Sequence, residues 1–276
     1  ADANPQDADA DDNGYKVRSL ASRSQGLALA IAARQALASL NRQTQEINPH
    51  GSPYFNTLTE LHLGPLTQRE LAGLLELAGD AFDQEDRRFV ADLSGGHPYL
   101  AQAAGSALWE ADQRRLTGDR RYQSAADDFF RETAKHFADT WEVMGNEARR
   151  AVTAVALIQL PALLEERGAL TRNLDDHLAD YTPELEWLAD SGMVSGENGK
   201  KWLIRQQGFL WWLADELRHY VRDEAEFGEW LQRHTLDGVL TMGEREWMGR
   251  TAVKVTQFLG AGAGTLVEEF IKRMMR

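Results

Sequence analysis

The sequence predicts a mainly α fold with one β-hairpin and, near its N-terminus, a short α/β stretch. Three observations carry this. From Pro65 onward, cap residues and glycine stops punctuate amphipathic runs at helical spacing. An Asn198-Gly199 pair sits between two arms that contain apolar residues, the strongest short-range hairpin signal. One continuous apolar run, GLALAIAA at residues 26–33, fits a strand buried on both faces, although its periodicity also fits a helix.

In chain order, residues 1–14 (ADANPQDADADDNG) are acidic, carry no large apolar side chain, and read as disordered or as a solvated loop. A short helix is expected at residues 15–23. The apolar run at 26–33 leads into Arg34-Gln35, residues 41–56 read as a long loop, and the alternation at residues 58–63 suggests a short edge strand. Residues 15–64 thus form one region, an α/β remnant.

Residues 65–145 read as a helical bundle. Thr67-Gln68-Arg69-Glu70 is a capping box that opens a helix closed by Gly79. Acidic residues after Asp83 suit a second helix start, which ends at Ser94-Gly95-Gly96. His97-Pro98 opens a third helix, with proline at the first helical position, and a fourth covers about 124–143. Residues 146–222 form the next unit. Asn146 caps a helix that Pro161 should stop, a second short helix lies between 162 and 178, and Thr182-Pro183-Glu184 launches a third. The hairpin follows Gly192. Helix, helix, helix, hairpin is the order of a winged helix. Residues 223–276 form a helical C-terminal segment of unknown role.

Composition narrows the function. The 276 residues are 43% hydrophobic and 26% charged, as in a globular protein. The longest apolar run is too short to span a bilayer, no signal segment is visible, and a membrane role is not expected. There are no cysteines, which excludes disulfides and thiolate metal sites and suits a cytoplasmic setting. The formal net charge of −13 repels nucleic acid. Lys200-Lys201 on the hairpin invites phosphate contact, yet the helix before it, TPELEWLAD, offers base edges no basic or amide side chain. Nucleic acid is therefore a disfavoured partner, and a protein partner or self-association is preferred.

Catalytic chemistry finds little support. No glycine-rich phosphate loop with Lys and Ser or Thr occurs; GAGAGT at residues 260–265 lacks the lysine and reads as a flexible joint. The seven histidines form no pair at helical spacing, and Asp175-Asp176-His177 reads as a solvated turn. No catalytic or metal-ligating residue is assigned. Trp202, Phe209, Trp211 and Trp212 suggest either a partner surface or packing of the hairpin on the next helix. Packing is favoured for Trp202 and Phe209 and less so for the adjacent pair, because one helix does not bury both faces equally.

Several of these residues together resemble a known pattern. The apolar run ending in Arg34, then Leu61-His62-Leu63-Gly64-Pro65-Leu66 before a capped helix, then Leu93-Ser94-Gly95-Gly96-His97-Pro98-Tyr99-Leu100, resembles the STAND branch of AAA-like ATPases. Leu188 to Val194 and the hairpin are similar to the winged-helix domain that follows the lid in that family. The resemblance covers about residues 15–222.

It implies a helical lid at 65–145, a winged helix at 146–222, and a nucleotide-dependent switch for oligomerisation. It also implies that Arg34 faces the terminal phosphate and that Gly96, His97 and Pro98 line the nucleotide, the proline near the adenine. The cofactor implied is ATP or ADP with magnesium, provided that a front half is supplied. The phosphate loop and magnesium carboxylates of the family are missing, so this chain alone is not expected to hydrolyse ATP. Truncation of the front half is the expected reason, and a hinge is expected near Met144-Gly145-Asn146. The competing expectations are an acidic helical scaffold that binds protein and a winged-helix DNA-binding regulator.

Overall fold

The computed structural model describes residues 63–163, 178–197, 200–234 and 242–259, with isolated positions among 30–61 and at 271. Residues from Leu63 on form one compact unit, and those up to His62 another. Within the second unit the order is α1 (Gln68–Glu76), α2 (Gln84–Ser94), α3 (Pro98–Gln113), α4 (Asp119–Val143), α5 (Asn146–Leu163), α6 (Thr182–Asp190), β1 (Val194–Glu197), β2 (Lys200–Ile204), α7 (Gln207–Tyr220), α8 (Glu224–Arg233) and α9 (Met242–Leu259). The fold is mainly helical, and the sheet among the described residues is the β1–β2 hairpin.

Local chemistry explains several helix ends. Thr67 accepts from the Glu70 amide while the Glu70 carboxylate accepts from the Thr67 amide, closing the expected capping box of α1. Asp83 and Asp86 repeat the arrangement at α2. Helix α2 stops at Gly95, whose φ of +58° is the left-handed cap that glycine takes without strain.

Other ends differ from expectation. Helix α4 begins at Asp119 rather than near 124. Asn146 lies inside α5, because the Arg149 amide donates to the Gly145 carbonyl and makes Gly145 the cap residue. Pro161 does not stop α5, which runs to Leu163. Proline in a last turn removes one backbone bond without forcing an immediate end. Thr182 is itself helical, and its hydroxyl donates to the Ala179 carbonyl instead of capping α6.

The N-terminal α/β expectation fails where it is visible. Residues 30–32, from the apolar run, are exposed and in no strand, with Ile31 at 50%. Residues 59, 61 and 63 are likewise outside any strand. A strand needs a neighbour to take its backbone groups, and none of the described residues supplies one. Asn41 and residues 44–46 are helical where a loop was expected, and the Thr44 hydroxyl donates to the Asn41 carbonyl. Arg34 and the segments 15–23, 164–177 and 260–265 lie outside the described residues.

The centre of the unit is α7. Phe209, Leu210, Trp211, Trp212, Leu213 and Leu217 are all buried, so both adjacent tryptophans enter the core, although the sequence favours packing less for that pair. The reason is position: α7 packs against α2, α4, α5, α8, α9 and β2 and has almost no outer face. A side chain at Gly208 would collide with Phe129 and Phe137 of α4, so glycine sets how close α7 comes. Trp202 is buried as well, its ring lying over Gly196.

Two polar devices sit within this apolar frame. Arg121 of α4 donates to Asp86 of α2 and to Asp112 of α3, and the Tyr122 hydroxyl donates to Asp86. Burial works against the Arg121 charge, but the bonds to Asp86 and Asp112 outweigh it and hold the guanidinium protonated. In the hairpin, the buried Gln159 amide of α5 donates to the Ile204 carbonyl at 3.2 Å and accepts from the Ile204 amide at 2.7 Å. One side chain thus pairs with β2 as a third strand would.

Replacing Gln159 with Leu keeps the volume but leaves the Ile204 amide buried and unpaired, and leaves the Ile204 carbonyl only the longer bond from the Gln207 side chain at 3.4 Å. It should lower stability by about 1–3 kcal/mol in urea unfolding followed by tryptophan fluorescence. A loss of only a few tenths would mean that water takes over both bonds.

A candidate functional site at the double-glycine turn

The residues singled out by the sequence meet at the turn between α2 and α3. Ser94 accepts from the Gly96 amide and donates to the Ala91 carbonyl, and the His97 amide donates to the Ser94 carbonyl. Gly95 and Gly96 have φ of +58° and +87° and are buried. Two successive left-handed residues are tolerable only because neither has a Cβ.

Both glycines also admit other parts of the chain. A Cβ on Gly95 would stand 2.8 Å from the Gln206 side chain and 3.0 Å from the Gln206 amide nitrogen. A Cβ on Gly96 would stand 2.8 Å from the Leu66 carbonyl oxygen. The turn is therefore clasped between the segment before α1 and the exit from the hairpin. At Gly96 the missing side chain makes room for Leu66 of the same unit.

His97 occupies the cap position of α3 without a side-chain cap bond. Its ring packs on His136 of α4, with centroids 5.3 Å apart, and Tyr99 packs on the other imidazole at 5.0 Å. The His97 Nδ1 is buried and makes no hydrogen bond. Burial, with help from His136, lowers the His97 pKa. His97 thus contacts the bundle through His136.

Pro98 and Tyr99 are exposed at the start of α3, and no side chain of the cap takes up its first-turn amides. Of the three residues expected to line a nucleotide here, Pro98 alone keeps a free outer face. Arg34 lies outside the described residues, so its place beside them is not defined.

The pairing of His97 with His136 was not visible in the sequence, since 39 positions separate them. Pro98 and Tyr99 present exposed ring surfaces at the start of α3. The residues present do not fit magnesium: among the described residues no group of three or more His, Asp or Glu side chains is arranged to hold a metal. No described helix is long and apolar enough to cross a membrane. Comparison of the chain with family models, with curated proteins and with solved structures gives no match.

A histidine whose pKa falls on folding binds fewer protons folded than unfolded. Its contribution is intact above the unfolded value of 6.5 and is lost as pH falls through the lower folded value. His234 shifts in the same direction, through burial and Arg149. His97→Phe keeps a ring against His136 and should flatten, without abolishing, the loss of stability on acidification. Urea melts from about pH 7.5 down to about pH 5 test this. An unchanged slope would show that His97 is not a source of acid sensitivity.

Proposed function

We infer that the chain is the regulatory part of a nucleotide-dependent switch of the STAND type, with residues 65–145 as the lid and 146–222 as a winged helix. The observation that carries this reading is the two-sidedness of the double-glycine turn. Its inner side is clasped by Leu66 and Gln206, while its outer side presents exposed Pro98 and Tyr99.

A nucleotide base resting on Pro98 would therefore press on a turn without slack. The phosphates and their magnesium would be held elsewhere, by a front half that these residues do not include. When bound, ATP or ADP supplies only the signal. This chain's part is to seat the base at Pro98 and to pass the displacement of Gly95 and Gly96 to its two neighbours. Oligomerisation would follow from release of the clasped arrangement.

A second reading, an acidic scaffold that binds protein, draws on Leu77 (84% exposed) and Trp109 (46% exposed), both on the bundle. A DNA-binding role is disfavoured by α6, whose exposed positions include Glu186 and Asp190.

The test is ADP binding, by calorimetry, to this chain and to a longer protein that includes the preceding residues. The longer protein should bind, and Pro98→Asp should weaken it by roughly tenfold, about 1.4 kcal/mol. Absence of binding by the longer protein would sink the switch. Nucleotide-independent capture of a protein partner would favour the scaffold.

A further inference from the structure

The three residues that lead into α1 touch two turns that lie far apart in sequence. The Leu66 amide donates to the Gly96 carbonyl at 2.8 Å. A Cβ on Gly96 would stand 3.2 Å from Pro65 Cβ, besides its clash with the Leu66 carbonyl. A Cβ on Gly192, in the turn between α6 and β1, would stand 2.6, 2.7 and 2.9 Å from three atoms of the Pro65 ring. Pro65 is thus wedged between the end of α2 and the end of α6. Gly64 beside it approaches the Asp190 carbonyl, 3.5 Å from its own Cβ position.

This fit is not a general consequence of left-handed turns. Gly79 and Gly118 also have positive φ, +64° and +56°, and a Cβ on either would meet nothing within 4 Å. At Gly96 and Gly192 the absence of a side chain serves a neighbour, and Pro65 is that neighbour at both.

The grip is small. It consists of one backbone hydrogen bond, one half-buried proline ring and the partly buried Leu66 side chain, while Leu63 just upstream is 88% exposed. Contacts of this size belong to the part of a protein that opens at low cost.

We propose that residues 63–66 are a releasable strap that holds the turn at Gly95–Gly96 and the turn at Gly192 in one arrangement. The chain entering at Leu63 works it. Seated, Pro65 fixes the bundle against the helix that precedes the hairpin; drawn out, it frees both turns together. The strap needs no nucleotide and stands apart from the switch reading, since any displacement of the upstream chain would operate it.

Amide hydrogen exchange of the whole chain, read by NMR at Leu66, Gly96 and Gly192, tests the coupling. Pro65→Ala should accelerate exchange at all three positions by about tenfold or more, with Phe129 and Trp141 in α4 unchanged. Gly192→Ala should do the same at Leu66 and Gly96. Gly118→Ala also places a side chain at a positive φ but where nothing is touched, and should leave all three amides at the wild-type rate. Should Gly192→Ala fail to fold, Pro65→Ala carries the test alone, because it introduces no left-handed residue. Wild-type exchange at Leu66 in Pro65→Ala, or loosening of one turn without the other, would overturn the strap.

Discussion

The structure depends on burying the first two turns of one helix on all sides. An amphipathic surface helix keeps a polar face, but α7 reads GFLWWLA through its first turns and has no such face to give to water. Each buried tryptophan or phenylalanine removes a large apolar area from solvent, worth on the order of 2–3 kcal/mol. That gain is available only if helices arrive from every direction. Bundle helices α2 and α4, the hairpin strand β2 with α5, and the C-terminal α8 and α9 all do so. The segments 65–145, 146–222 and 223–276 therefore share one core, although the sequence suggests three successive units.

Such a centre limits which motions are cheap. The junction between α4 and α5, expected as a hinge at residues 144–146, is closed on both sides. Arg149 donates to the carbonyls of Trp141 and Glu142 and lies over the Trp141 ring, while the Trp141 indole donates to His234 and packs on Trp212 and Trp230. Bending there would strip a buried arginine of its acceptors and open an aromatic cluster. Arg121 shows a different balance. Its pairing with Asp86 and Asp112 more than offsets the desolvation of its charge, and it fixes how α2, α3 and α4 meet.

Features set by neighbours in sequence were legible: the Thr67–Glu70 box, the Asp83 cap, the left-handed stop at Gly95 and the hairpin. Each is decided within about four residues. Features set by distant partners were not. At Gly96 glycine announces closeness without naming what comes close, and Leu66 is a partner that no spacing signals. His97 and His136 showed no spacing signal because they lie on different helices. For Trp211 and Trp212 a periodicity argument assumes that one face meets water, and the first two turns of α7 have none. The apolar run at 26–33 reads equally as strand or helix, and a short run gains its conformation from a partner that the described residues do not provide.

The double-glycine turn is where local code and tertiary demand coincide, and that coincidence gives it mechanical importance. A turn of two left-handed residues is narrow in conformational space, and here its flanks are filled by Leu66 on one side and Gln206 on the other. Gln206 is also the residue from which α7 starts, and its carbonyl accepts from the amides of Phe209 and Leu210. A displacement at Gly95 thus bears directly on the first turn of the helix that the whole core surrounds. Interiors packed at crystal-like density pass such a shift on instead of absorbing it. Whatever presses on the exposed Pro98 side therefore acts on the one turn that touches the strap, the hairpin exit and the start of α7 at once.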